Sequence, residues 1–86
     1  MAVAIAVKVR FFARLREQAG VETEALQVPP TSTLADVYDS LRRRHPALEP
    51  DRGSVRGAIN QELSDWDTAV SAGDEVAFIP PVSGGF

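Results

Sequence analysis

Few residues in this 86-residue chain have side chains suited to catalysis, and they are not spaced to converge. With no cysteine anywhere, a disulfide scaffold, a thiolate zinc site, a nucleophilic thiol and a thiol-borne persulfide are all excluded. The single histidine, His45, could hold a metal only with scattered carboxylates, and no Ser-His or Cys-His pair is spelled out. It closes an arginine-rich turn just before Pro46, where a cation favours the carbonyl end of a helix, so it reads as a capping cation. Arg42, Arg43 and Arg44 could grip a phosphate, but three consecutive helical residues spread over nearly a whole turn, which makes them a solvated face. Neither a Gly-x-x-x-x-Gly-Lys phosphate loop nor a Gly-x-Gly-x-x-Gly fingerprint is present. Trp66, between Asp65 and Asp67, is either an exposed anchor for a partner or an aromatic tucked over a loop beside the core.

The C-terminal segment, Phe78-Ile79-Pro80-Pro81-Val82-Ser83-Gly84-Gly85-Phe86, has a chemical logic of a different kind. Pro80-Pro81 stops the preceding strand and favours an extended conformation that leads the chain away from the sheet. Gly84 and Gly85 carry no Cβ, so the segment is slim enough to pass through a narrow channel into another protein's active site. The competing reading is a frayed terminus.

The elements that must position this tail follow from the hydrophobic pattern. Val3, Ile5, Val7, Val9 and Phe11 alternate with Ala4, Ala6, Lys8 and Arg10, predicting a strand with one β-branched row on the core. Phe12 to Gly20 reads as a short helix with Phe12, Leu15 and Ala19 on one side and Gly20 as its cap. Val21 to Val28 reads as a strand stopped by Pro29-Pro30. Thr33-Leu34-Ala35-Asp36 resembles a capping box, and Leu34, Val37, Tyr38 and Leu41 supply the apolar stripe of the helix it opens. Val55 to Asn60 is a third strand, Gln61 to Gly73 a turn-rich stretch, and Asp74 to Ile79 the last strand, with Val76 and Phe78 on one face and Glu75, Ala77 and Ile79 on the other. The order predicts a two-layer α+β domain over residues 1–79, a mixed four- to five-stranded sheet covered on one face by a main helix and a short one, with residues 80–86 as the extended tail.

A chain this short has one core and buries only about 60–65% of its unfolded surface, leaving no room for a deep enclosed site. The apolar run Ala2 to Val7 is far short of the ~18 residues of a membrane span, and the basic residues follow it instead of preceding it as in a signal peptide, so cytoplasmic residence is expected. Net charge is −3, which disfavours nucleic acid as a partner. The charge is uneven: residues 1–20 hold Lys8, Arg10, Arg14 and Arg16 against Glu17, whereas residues 57–86 hold Glu62, Asp65, Asp67, Asp74 and Glu75 with no base. Such asymmetry either orients a partner or only solvates the surface.

Gly73-Asp74-Glu75-Val76-Ala77-Phe78-Ile79-Pro80-Pro81-Val82-Ser83-Gly84-Gly85 closely resembles the C-terminal signature of the small subunits of molybdopterin synthase, ubiquitin-like sulfur carriers of the β-grasp fold. The resemblance continues upstream in Val9-Arg10-Phe11-Phe12-Ala13, Leu15-Arg16-Glu17, Thr33-Leu34-Ala35-Asp36-Val37 and Ala58-Ile59-Asn60, and so covers nearly the whole chain. It implies that a ubiquitin-activating-type adenylyltransferase uses ATP to adenylate the carboxylate of Gly85, and that sulfur then replaces AMP to give a C-terminal thiocarboxylate. Residues Pro80 to Gly85 would enter the large synthase subunit, in a heterotetramer, and that subunit would supply the catalytic groups. No permanently bound cofactor, no metal and no catalytic residue of this chain's own is implied. One residue departs from the pattern: the family's active form ends at the second glycine, whereas Phe86 follows here. Phe86 suggests a precursor processed by a metalloprotease, or a branch serving cysteine, thiamine or secondary-metabolite sulfur transfer; a ubiquitin-like binding module with an inert tail is the reading from another class. If Val3, Ile5, Val7 and Val9 face the helix, then Ala4, Ala6, Ala77 and Ile79 leave a flat outer face on which a partner subunit could pack.

Overall fold

The computed structural model describes residues 3–80, so the expected tail residues Pro81, Val82, Ser83, Gly84, Gly85 and Phe86 lie outside the described residues. Strand β1 (Ile5–Phe11) turns Val7, Val9 and Phe11 into the core while Ala6 and Lys8 face outward. Val3, expected on the inner row, is instead 74% exposed. The pairing of β1 with β2 (Thr23–Val28) ends at Ile5 opposite Val28, and Pro29-Pro30 stops β2 there, so nothing continues the sheet beside Val3.

Between these strands lies a short helix, α1 (Arg14–Ala19), with Leu15 and Ala19 buried. Gly20 caps it at φ 80°, a left-handed conformation glycine adopts without a Cβ penalty, and its N–H donates to Arg16 O at 2.9 Å. Phe12 does not join the buried side of this helix as its spacing suggested. It precedes α1 and continues the outward alternation of Lys8 and Arg10, so its ring stands on the outer face of the sheet, with the Arg10 guanidinium 5.2 Å from its centre.

The main helix, α2 (Leu34–Arg44), begins in the expected capping box. Asp36 N–H donates to Thr33 Oγ1 at 3.3 Å and Thr33 N–H donates to Asp36 Oδ2 at 3.0 Å, satisfying two amides that have no partner within the helix. Leu34, Val37, Tyr38 and Leu41 are fully buried against the sheet. Strand β3 (Arg56–Ile59) and a short β4 (Glu62–Ser64) form a hairpin through Asn60 and Gln61, both at positive φ. That hairpin places a short strand inside the stretch expected to be turn-rich. Strand β5 (Glu75–Ile79) completes a five-stranded sheet of order β2-β1-β5-β3-β4, in which β1 and β5 are parallel and the other pairs antiparallel. One layer of sheet and one of helix enclose a single core, the two-layer α+β arrangement read from the pattern.

Candidate functional site

The strand that leads to Pro80 lies at the centre of the sheet. Strand β5 is held by β1 on one side and β3 on the other, and its inward residues Val76 and Phe78 have no exposed surface. Phe12 N–H donates to Phe78 O at 3.2 Å, and Ile79 lies opposite Arg56. The start of the strand is fixed as firmly. Glu75 N–H donates to Asn60 Oδ1 at 2.9 Å, Asn60 Nδ2 donates to Asp74 Oδ1 at 3.0 Å, and Ser71 N–H donates to Asp74 Oδ2 at 2.7 Å. A strand paired on both edges gives the residues after Pro80 a rigid point of departure.

The outer face beside that point is apolar. Ala77 and Ile79 share a shallow depression with Phe12, Ala58 and Leu63, and the Arg10–Glu75 ion pair, at 3.7 Å, borders it. Leu63 is 63% exposed and Phe12 37%, an arrangement that leaves large hydrophobic side chains in water next to the strand that carries the tail. Ala6 is also on this face but farther along β1, where it lines a second depression with Lys8, Thr23 and Ala25. Ala4 precedes β1 and is exposed. The structure therefore gathers Ala77 and Ile79 with Phe12 and Leu63 and sets Ala4 and Ala6 apart from them. Sequence reasoning missed Phe12 and Leu63. The alternation of Lys8, Arg10 and Phe12 carried the signal for the first; Leu63 could be placed only once β4 was known.

The other candidates have structural partners. His45 is the C-cap of α2, its Nε2 lies 2.5 Å from Glu24 Oε1, and its ring stands nearly perpendicular to that of Phe11. Arg44 reaches the other oxygen of Glu24 at 2.8 Å, while Arg43 donates to Ser40 Oγ at 3.2 Å, so these two arginines are drawn to different partners. Trp66 is half-buried and stacks on Phe78 with centroids 6.0 Å apart, beside Tyr38 at 5.6 Å, which resolves it as a satellite of the core. Among the described residues no group of three potential metal ligands comes together, and no helix is long and apolar enough to cross a membrane.

A mixed sheet gripping one main helix, with Pro80 following its central strand, defines a ubiquitin-like β-grasp domain. The chain belongs to the ThiS family, whose model matches residues 9–85. It is 41% identical over 81 residues to the molybdopterin synthase sulfur carrier subunit of Arabidopsis thaliana, covering 94% of this chain and 84% of that one. The crystal structure of SAMP1 from Haloferax volcanii is similar with a TM-score of 0.81 and 38% identity, over 93% of this chain and 99% of that chain. A chain in the complex of subunits 1 and 2 of the molybdopterin-converting factor from Helicobacter pylori is similar with a TM-score of 0.66 and 27% identity, over 94% of this chain and all of that one.

Proposed function

We propose that this chain is the sulfur-carrier subunit of a molybdopterin synthase, with Gly85 as the residue that bears the sulfur. An oxygen of the Gly85 carboxylate attacks the α-phosphorus of ATP and pyrophosphate leaves; hydrosulfide delivered by a sulfur donor then attacks the acyl carbon, expelling AMP and, on losing its proton, leaving a thiocarboxylate. Activation is needed because a carboxylate is a poor electrophile and the mixed anhydride is a good one. The family match running through to Gly85, in a chain without cysteine, is the observation that carries this reading.

The large subunit supplies the catalytic groups that turn the delivered sulfur into the dithiolene of molybdopterin, and this chain supplies the carrier and the docking surface. Phe12, Leu63, Ala77 and Ile79 form that surface, since they are the apolar outer-face residues nearest the tail. The Helicobacter pylori relative seen with a second subunit supports such a partnership. No cofactor stays bound, and the work is cytoplasmic. Any residue joined to Gly85 by a peptide bond removes the carboxylate to be activated, so Phe86 is cleaved first, by a protease of the metalloprotease class.

ATP–pyrophosphate exchange with the cognate activating enzyme tests this. A chain ending at Gly85 should support exchange and the chain ending at Phe86 should not, because a benzyl group clashes in a channel shaped for glycine. Failure of the Gly85-ended chain refutes the carrier role. Adenylation of the longer chain with Phe86 retained refutes processing.

A further inference from the structure

Three arginines far apart in sequence, Arg14, Arg52 and Arg56, lie on segments that adjoin the end of β5. Strand β5 ends at Ile79, and each of the three segments that flank its end carries one of these arginines. On the β3 side Arg56 lies directly opposite Ile79 and is exposed. On the β1 side the chain passes from Phe11, opposite Phe78, to Arg14, whose guanidinium reaches across to Ser54 O at 3.4 Å and so bridges the two segments that flank the exit. On the helix side Arg52 stands 5.6 Å from the Trp66 ring, which itself stacks on Phe78. Among the described residues no carboxylate forms an ion pair with any of the three. Asp51, the acid beside Arg52, accepts from Gly53 N–H at 2.9 Å and from Ser54 Oγ at 3.2 Å instead, and Asp65, which follows β4 next to Arg56, stays outside ion-pair distance.

We infer that Arg14, Arg52 and Arg56 form a positive collar around the root of the tail, which docks against an acidic rim at the mouth of the activating enzyme's channel. The inference rests on the proposed function, since only a tail that enters a channel brings its root to a channel mouth. Chain geometry selects the partner. Gly85 is five residues beyond Pro80, a reach of about 17 Å when extended, so a collar at the root meets the entrance and not the nucleotide at the reacting carboxylate. Uncompensated exposed charges in a molecule of net charge −3 act mainly on encounter and orientation, raising the association rate toward a surface of opposite sign.

The experiment is stopped-flow association of the Gly85-ended chain, which keeps every described residue, with its activating enzyme at low and high salt. The unaltered chain should bind more slowly as salt rises. The double variant Arg14→Glu, Arg56→Glu should associate about tenfold more slowly at low salt, lose most of the salt dependence and keep its dissociation rate. Glutamine at both positions should give the same trend at smaller size, and thermal melts confirm that each variant is folded. Unchanged association rates and salt slope overturn the collar, as does an effect confined to the KM for ATP. Leu63→Asp, titrated against the large subunit in parallel, separates the two failures: if it weakens that binding while the arginine variants leave association with the activating enzyme unchanged, the collar alone falls; if it too is silent, the docking surface of the proposed function falls with it.

Discussion

Gly57 in β3 passes so close beneath Leu34, the first residue of α2, that a Cβ on the glycine would stand 2.4 Å from Leu34 Cδ2 and 3.0 Å from Cγ. The helix start and the strand beside the tail-bearing strand are thus packed without a spare methyl between them. Because Leu34 is fully buried, it cannot swing into solvent to make room. Gly57→Ala should therefore cost about 1–3 kcal/mol, measured by urea unfolding, as overpacking does elsewhere. In a Leu34→Ala background the same substitution should cost far less, since the contact that opposes it is gone.

That contact also marks where sequence reading stops. The alternation from Ile5 to Phe11, the capping box at Thr33 and Asp36, and the inward pair Val76 and Phe78 are local patterns, legible without knowing any neighbour. Val3 obeyed the alternation and was still misplaced, because whether a strand continues depends on a partner, and β2 stops at Val28. Phe12 was assigned to a helix by its spacing to Leu15 although the period of two was the one that governed it. Leu63 and Trp66 sit in a segment with neither period, and their roles come only from what folds against them: Ala58 opposite the first, Phe78 under the second. The proline and glycine pattern of residues 80–85 is legible in residue types, and the chemistry expected of it comes from the family resemblance; the surface beside it required the fold.

Tyr38 is the chain's one tyrosine, so its titration is directly visible by ultraviolet absorbance. Its hydroxyl donates to Glu49 O at 2.7 Å, and burial first, then the Glu49 charge, push its pKa from 10.0 up to about 12. The folded state holds the neutral phenol more firmly than the unfolded state does. Its contribution is fully present below pH 10 and is lost as the pH rises from 10 to 12. Stability should fall across that window, and Tyr38→Phe should remove that part of the decline while costing about 1 kcal/mol at neutral pH for the unpaired carbonyl.

Asn60 and Gln61 turn the β3–β4 hairpin with φ of 52° and 72°. Asparagine tolerates that conformation and its side chain also secures Glu75 and Asp74, so Asn60→Ala should lose about 1–2 kcal/mol. Gln61 makes no such compensation, and Gln61→Gly should gain up to about 1 kcal/mol by relieving the left-handed backbone. Thermal melts of the two variants should move in opposite directions.

Leu63→Asp and Ala77→Arg place charge in the apolar depression beside the tail. Both residues face outward, so stability should stay within about 0.5 kcal/mol for the exposed Leu63. Affinity for the large subunit should fall about thirtyfold or more, the loss expected when an interface centre must bury a charge. Isothermal titration with wild-type affinity retained in both variants would remove this face from the docking surface.

The most direct measurement is the intact mass of the protein isolated from its own cells while molybdopterin is being made. The account predicts a species that ends at Gly85, has lost Phe86 and carries one sulfur in place of a carboxyl oxygen, and predicts that this species disappears when the activating enzyme is deleted. A population that retains Phe86 and carries no sulfur, in cells that make molybdopterin through this chain, would contradict it.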